Sequence, residues 1–458
     1  MNIRFLPFIA LFSALILSFS PGSPEGQSPL IPIEPEPIRR VSVASDGTQA
    51  NDYSWEPSIS TDGRYITFMS AATNLVPGDT NNYEDIFVHD RFTGQTERVS
   101  ISANGVQGNG SSLSPSISAD GRYVAFVSAA DNLVPEDRNS MADTFLHDRL
   151  TGDITRVSIA SDGTEGDNSS FGTAAAISAD GRYIAFCSYA GNLVPGGDLN
   201  GGPNPDVYLH DRETAETTRI SVASDGTQAN DWSCKPSISS NGRFIAFDSF
   251  ATNLAPEDPN SNLDVFIHDQ LTGNTSLISR AYGNQVANGE SQSPSISADG
   301  RYVAYVSTAD NLVAEDINGN WDIFVHDRLS GQNTLASIAS NGTQGDNASI
   351  HAALSADGKY VLFDSVASNL VSDDTNGVMD LFMHNLLTHE TIRVSMAFDG
   401  AEGNDSSRFP TIASHGCAMA FASNANNLVP NDTNNFQAIF VRIGTCSWQT
   451  FLPGVWNR

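Results

Sequence analysis

Two short motifs hold most of the residues that could do chemistry, and each recurs along the chain. The first is D-x-N: Asp79/Asn81, Asp137/Asn139, Asp198/Asn200, Asp258/Asn260, Asp316/Asn318, Asp374/Asn376 and Asp432/Asn434. In six copies another Asp opens the following segment, at Asp85, Asp143, Asp206, Asp264, Asp322 and Asp380. A hard cation such as Ca²⁺ takes several oxygen ligands from carboxylates, amides and carbonyls. The ligand sets this predicts are Asp79, Asn81 and Asp85; Asp137, Asn139 and Asp143; Asp258, Asn260 and Asp264; Asp316, Asn318 and Asp322; and Asp374, Asn376 and Asp380. The competing reading is a set of Asx-turns, in which Asp and Asn cap backbone N–H groups. The motif lacks the bidentate Glu and the D-x-D-x-D density of a strong calcium loop. Sevenfold repetition favours a structural role in either reading.

The second motif is His-Asp, at His89-Asp90, His147-Asp148, His210-Asp211, His268-Asp269 and His326-Asp327, with His384-Asn385 as its variant. His and Asp serve as base and orienting partner in many enzymes. Adjacent residues on a strand point to opposite faces, so these cannot form a dyad with each other. Repetition instead predicts a hydrogen bond that every unit needs, from this strand to a neighbouring Ser or turn. There is no G-x-S-x-G elbow, no H-E-x-x-H and no phosphate loop, and no catalytic residue is assigned. The departures from regularity are few: an insertion at Gly196–Asp206, and the single occurrences of Glu290, His351, Arg408 and His415. Aromatics stand unevenly on the long connections, at Tyr53, Trp55, Phe171, Trp232 and Trp321. Beside Asp and Asn they suit a sugar or peptide ligand; the alternative is that they cover the core.

The elements that position these residues follow from an internal repeat. Compare PSISTDGRYITFMS from Pro57, PSISADGRYVAFVS from Pro115 and PSISADGRYVAYVS from Pro294. The turn glycines Gly63, Gly121, Gly181, Gly242, Gly300, Gly358 and Gly416 are spaced by 58, 60, 61, 58, 58 and 58 residues. A β-rich period of this length signals a propeller. Each unit reads as four strands: PSIS, an Asp-Gly or Asn-Gly hairpin turn, an alternating RYIAF strand, DIFVHD, and ERVSIS after a Thr-Gly turn. A strand of the last type, RRVSVAS at Arg39–Ser45, precedes the first unit, while the final copy stops after AIFVRI at Ala438–Ile443. The prediction is an all-β, seven-bladed propeller of four-stranded antiparallel blades over residues 39–445. The N-terminal strand completes the seventh blade and removes the open edges. Strand alternation places the short turns on one face and the long, acidic connections on the other. The long-loop face is the candidate binding surface.

The core S-x-D-G-R-Y-I-A-F-x-S, followed by D-I-F-V-H-D-x-x-T-G-x-x-x-R-V-S, resembles the WD-repeat-like units of TolB-type propellers over nearly all of residues 39–443. Most copies here read S-A-D-G where that family commonly has S-P-D-G, and TolB's separate N-terminal domain has no counterpart. The resemblance implies binding and scaffolding, without a transferable role in envelope integrity; some relatives are attached to peptidase domains. The D-x-N loops are also similar to those of integrin-type propellers and to half an EF-hand loop.

Composition narrows the partners. The chain has 458 residues, 23 basic and 53 acidic, for a net charge of −30. With no basic patch, this argues against binding a nucleic-acid backbone and suits cations, cationic partners or neutral sugars. Apolar residues make up 40%, enough for a packed core. Arg4 and the apolar stretch Phe5–Leu17, too short to span a bilayer, predict a signal peptide over residues 1–22. A proline-rich linker over 23–38 and a tail over 446–458 flank the propeller. The expected product is exported (secreted, periplasmic or on the cell surface), monomeric, and without an integral membrane domain after signal removal. Four Cys in an exported chain read as two disulfides with three pairings, or as four thiols. Their places in the blades favour Cys187–Cys234 and Cys417–Cys446. The leading function is a non-catalytic binding or scaffold module for a protein or carbohydrate ligand, with Ca²⁺ as the one candidate cofactor. The alternative is a hydrolase or lyase acting on a carbohydrate or peptide in the central funnel. A sevenfold-uniform funnel mouth would favour binding; a converging asymmetric cluster would favour catalysis.

Overall fold

A computed structural model describes residues 38–170, 175–199, 204–256, 258 and 260–444. These form seven four-stranded antiparallel sheets. In blade 1, strand a is Ser54–Ile59, b is Tyr65–Ser70, c is Asp85–Asp90 and d is Gln95–Arg98. Blades 2 to 6 repeat this order. Blade 7 takes its a, b and c strands from Ser407–Ile412, Ala418–Ser423 and Ala438–Ile443, and its d strand from Arg39–Arg40. Arg39 pairs with Val441 and Arg40 with Phe440, so the first strand closes the ring as the repeat arithmetic requires.

The core lies on strands b and c, whose side chains are almost entirely buried. Every blade stacks one aromatic from each of these strands, as Phe68 on Phe87 with ring centroids 6.0 Å apart. Such cross-strand pairs stabilise a sheet beyond the area they bury. The a–b turn explains the S-x-D-G-R-Y motif. Asp62 accepts from Ser60 Oγ and from the backbone N–H of Arg64, which closes the turn. Arg64 then forks onto Asp90 of strand c at 3.0 and 2.6 Å and lies over the Tyr65 ring.

The His-Asp motif is a fastener between strands. His89 Nδ1 pairs with Thr96 Oγ1 on strand d at 2.9 Å, and Thr96 Oγ1 donates to Val43 O, beyond the blade. Asp90 takes Arg64 on the other side. The partner on strand d is Thr in four blades and Asn333 in blade 5, rather than the expected Ser or turn. In blade 2 the apolar Ile154 faces His147, whose buried Nδ1 has no partner among the described residues, so the bond is not one that every unit needs. Burial pushes His89 and His384 down to about 4, so both rings are neutral at pH 7.

Strand limits differ from the sequence-based ones in two places. Strand d ends at Arg98, short of the predicted Ser102, because Ser100 leaves the ladder to bond Asp85 Oδ1 and the N–H of Ile86. Its equivalent Ser42 likewise ends the N-terminal strand at Arg40. Strand a starts at Ser54 and carries a bulge: Trp55 faces Met69 and Ser58 faces Thr67, so Glu56 and Pro57 share one partner.

Candidate functional site

Beyond the Arg–Asp pairs of the a–b turns, ionisable groups gather among the described residues in the D-x-N loops at the blade edges and in a ring on the propeller axis. In the loops, the protein's own arginines supply the positive charge. Arg98 Nη1 lies 3.1 Å from Asp79 and 3.0 Å from Asp85. Arg156 Nη1 lies 3.3 Å from Asp137, 3.2 Å from Asp143 and 2.9 Å from Glu165. Those three acids bring carboxylate oxygens within 4.8 Å of one another, with the guanidinium among them. Arg393 contacts Asp374, Asp380 and Glu402 in the same way. In blade 3 Arg219 reaches Asp206, and in blade 7 Arg40 reaches Asp432. Asn81, Asn139 and Asn376 each donate to the second Asp of their loop, and their own Oδ1 accepts a backbone N–H two residues on. The loops thus contain the predicted Asx-turns, with an ion pair locked beneath them.

Blades 4 and 5 depart from this pattern. Leu277 and Leu335 stand at the arginine position. In blade 5 Gln344 Nε2 compensates, donating to Asp316 at 2.7 Å and Asp322 at 3.0 Å. In blade 4 the corresponding residue is Val286. Asp258 and Asp264 are buried there with neither donor, and burial together with the mutual repulsion felt by Asp258 lifts them to about 7 and about 6.

The axial ring comes from the bulge in strand a. Glu56, Ser114, Lys235, Ser293, His351 and Phe409 occupy one position in successive described blades, each at φ between +48 and +55°. Left-handed backbone at a non-glycine residue is costly, of order 1–3 kcal/mol each, and survives only where packing enforces it. With the residue after each, they line a cavity of about 440 Å³. The blade 3 equivalent, Ala174, lies outside the described residues.

This ring position changes residue type from blade to blade. Glu56 accepts from the N–H and Oγ of Ser114 at 3.1 and 3.0 Å. Lys235 Nζ donates to Gln292 Oε1 at 2.7 Å and Ser293 Oγ at 3.1 Å, and sits 3.7 Å from the buried Asp248. His351 Nδ1 lies 2.9 Å from the buried Asp364, and its ring packs 4.9 Å from Phe409. Asp248 and Asp364 also accept the N–H of the next ring residue, Ser293 and Phe409. Each carboxylate therefore serves the bulge as well as the cation above it. Burial raises Asp248 to about 7 and holds Asp364 above its usual range. Chemically, the ring offers a cation at Lys235, a carboxylate at Glu56, and an imidazole whose Nε2 is the nitrogen not tied to Asp364.

Among the aromatic candidates, Trp55 is half-buried against the blade 1 core and Trp321 against that of blade 6. Trp232 meets the edge of Phe250 at 6.0 Å. Tyr53 donates its hydroxyl to Glu84 at 2.7 Å, which pushes the phenol up to about 12. Phe171 lies outside the described residues. Cys187 and Cys234 form the disulfide expected between blades 3 and 4; Cys446, the expected partner of Cys417, lies outside the described residues. Lys235, Asp248 and Asp364 belong to this site but not to either repeated motif. Their signal was present: Asp248 and Asp364 replace the Met, Val, Cys or Ala of other copies at the fifth position of strand b.

No family model matches the chain, and no curated protein matches it in sequence. Solved structures match in fold. An oligogalacturonate lyase in complex with manganese aligns with a TM-score of 0.54 and 14% identity, over 89% of this chain and 96% of that one. The β-propeller domain of the Trilobed protease from Pyrococcus furiosus aligns at 0.53 and 12% identity, over 87% and 95%. TolB from Acinetobacter baumannii aligns at 0.40 and 16% identity, over 72% and 62%, a likeness too distant to bear on function. At such identities the first two matches speak to architecture alone: the chain is similar to both as a β-propeller.

Proposed function

We propose that this chain is an exported binding propeller whose ligand seats on the axis, within the ring of Glu56, Lys235 and His351. The observation that carries this reading is the variation of one strained position, from Glu to Ser, Lys, His and Phe, within blades that otherwise repeat. A purely architectural position has no need of such variety. The ring lies on the half of strand a nearest the long acidic loops, so a larger ligand could also reach that face. The cavity suits a small polar molecule or a chain end. Lys235 would take a carboxylate or sugar hydroxyl, and Glu56 a donor across the ring. The disulfide supports export, since such bonds persist in oxidising compartments.

The test is calorimetry of the purified protein against galacturonate oligomers, neutral oligosaccharides and short peptides, alongside a Lys235→Ala/Glu56→Gln variant. One class should bind, and the variant should weaken it at least tenfold. Binding unchanged in the variant would remove the axial site.

A second reading, a lyase or hydrolase in the funnel, is favoured by the asymmetry of the ring and by His351 on Asp364, the arrangement of an oriented general base. It ranks second because Glu56, Asp248 and Asp364 already hold backbone N–H groups. Shortened or unsaturated products in the same mixtures, absent with His351→Ala, would promote it.

A further inference from the structure

We infer that blade 4 carries a divalent-cation site between Asp258 and Asp264, and that it does so because this blade alone lost the internal donor that the other described blades keep. The blades provide the comparison. A guanidinium lies against the acidic residues of the loop in blades 1, 2, 3, 6 and 7, and the Gln344 amide donates to both acids in blade 5. Strand d of blade 4 puts Leu277 there, and the following hairpin supplies Val286.

The carboxylates stay buried nonetheless. Asp258 is 2% and Asp264 1% exposed. Asp264 Oδ1 accepts from Ser279 Oγ at 2.6 Å and its Oδ2 from Asn260 Nδ2 at 3.2 Å. Among the described residues, Asp258 Oδ1 accepts only a long 3.3 Å bond from the N–H of Asn260, and Asp258 Oδ2 is buried with no hydrogen-bond partner. An unpaired buried carboxylate costs several kcal/mol unless a charge or proton meets it. Two carboxylates supply oxygens of the kind hard divalent ions take, with water completing the shell. The Asn260 amide turns its nitrogen to Asp264 and its Oδ1 to the N–H of Asn262, and so braces the pair from the side.

The test uses the purified full chain, stripped with EDTA and dialysed against Ca²⁺, with Mg²⁺ and Mn²⁺ in parallel. Bound metal is read by elemental analysis and Tm by calorimetry. The wild type should keep one equivalent of cation per chain and gain a few degrees in Tm. Leu277→Arg, which restores the guanidinium of blades 1, 2 and 6, should bind no cation and lose the Tm response. Asp258→Asn should do the same without adding a bulky group, and it carries the test if Leu277→Arg folds poorly. Absence of bound metal and of any Tm shift with all three ions would overturn the inference and leave a shared proton in its place. Metal retained by both variants would overturn it equally.

Discussion

The ring of Tyr65 fills the space that a side chain on Gly121 would need. A Cβ built on Gly121 would lie 2.1 Å from Tyr65 Cδ2, and the glycine sits at φ +74°. The turn of blade 2 thus receives the aromatic of blade 1, and the same contact recurs at Gly181 with Tyr123 and at Gly242 with Tyr183. Gly121→Ala should therefore lose the backbone term and also force two blades apart, about 3 kcal/mol or more together. Gly105→Ala, at φ +76° with nothing within 4 Å, should cost only about 1 kcal/mol. Urea midpoints of the two variants give the comparison; equal losses would show that the interblade contact adds nothing.

Removing a guanidinium from a D-x-N loop strands two buried acids. Arg98→Leu should cost about 3–5 kcal/mol, because Asp79 and Asp85 would remain buried without their cation. Arg138→Leu, an exposed pair with Glu136, should change stability by less than about 1 kcal/mol. Chemical denaturation distinguishes the two, and similar losses would contradict this assignment.

Stability should depend on pH with opposing signs from two sets of groups. Burial raises Asp248 to about 7, against roughly 4 when unfolded. The folded state then holds the extra proton between those values, so stability falls as pH rises through that window. His89 and His384, lowered to about 4 against about 6.5 unfolded, make stability rise over roughly pH 4 to 6.5. Above about pH 6.5 the histidine contribution is complete and that of Asp248 is not. Stability should drop between pH 6.5 and 8 in the presence of EDTA, and Asp248→Asn should shrink that drop. An unchanged slope in the variant would assign it to other groups.

Cys187 and Cys234 close a loop of 47 residues across two blades. On the chain-entropy model this bond contributes about 4 kcal/mol. Reduction, or Cys187→Ala with Cys234→Ala, should lower Tm by several degrees while the β signature in circular dichroism persists. An unaltered Tm would mean that the blade contacts alone hold this junction.

Much of the architecture was legible before any coordinates. Blade number, the Asp-Gly turns, closure by Arg39–Arg40 and the pairing of Cys187 with Cys234 follow from spacing, because turns are local and equal modules must close a ring. The replacement of Arg by Leu277 and of Gln by Val286 can also be read by aligning the repeats. Its meaning cannot, because Arg98 meets Asp79 and Asp85 only when strand d folds back beneath the preceding loop. The axial ring was decided by tertiary structure alone. Simple alternation along strand a would not single out Glu56 or Lys235; a bulge in left-handed backbone turns them to the axis, and neighbouring blades hold that strain in place. Residue types and their period belong to the sequence, whereas the direction in which a bulged residue points depends on packing that arises only once the ring is closed.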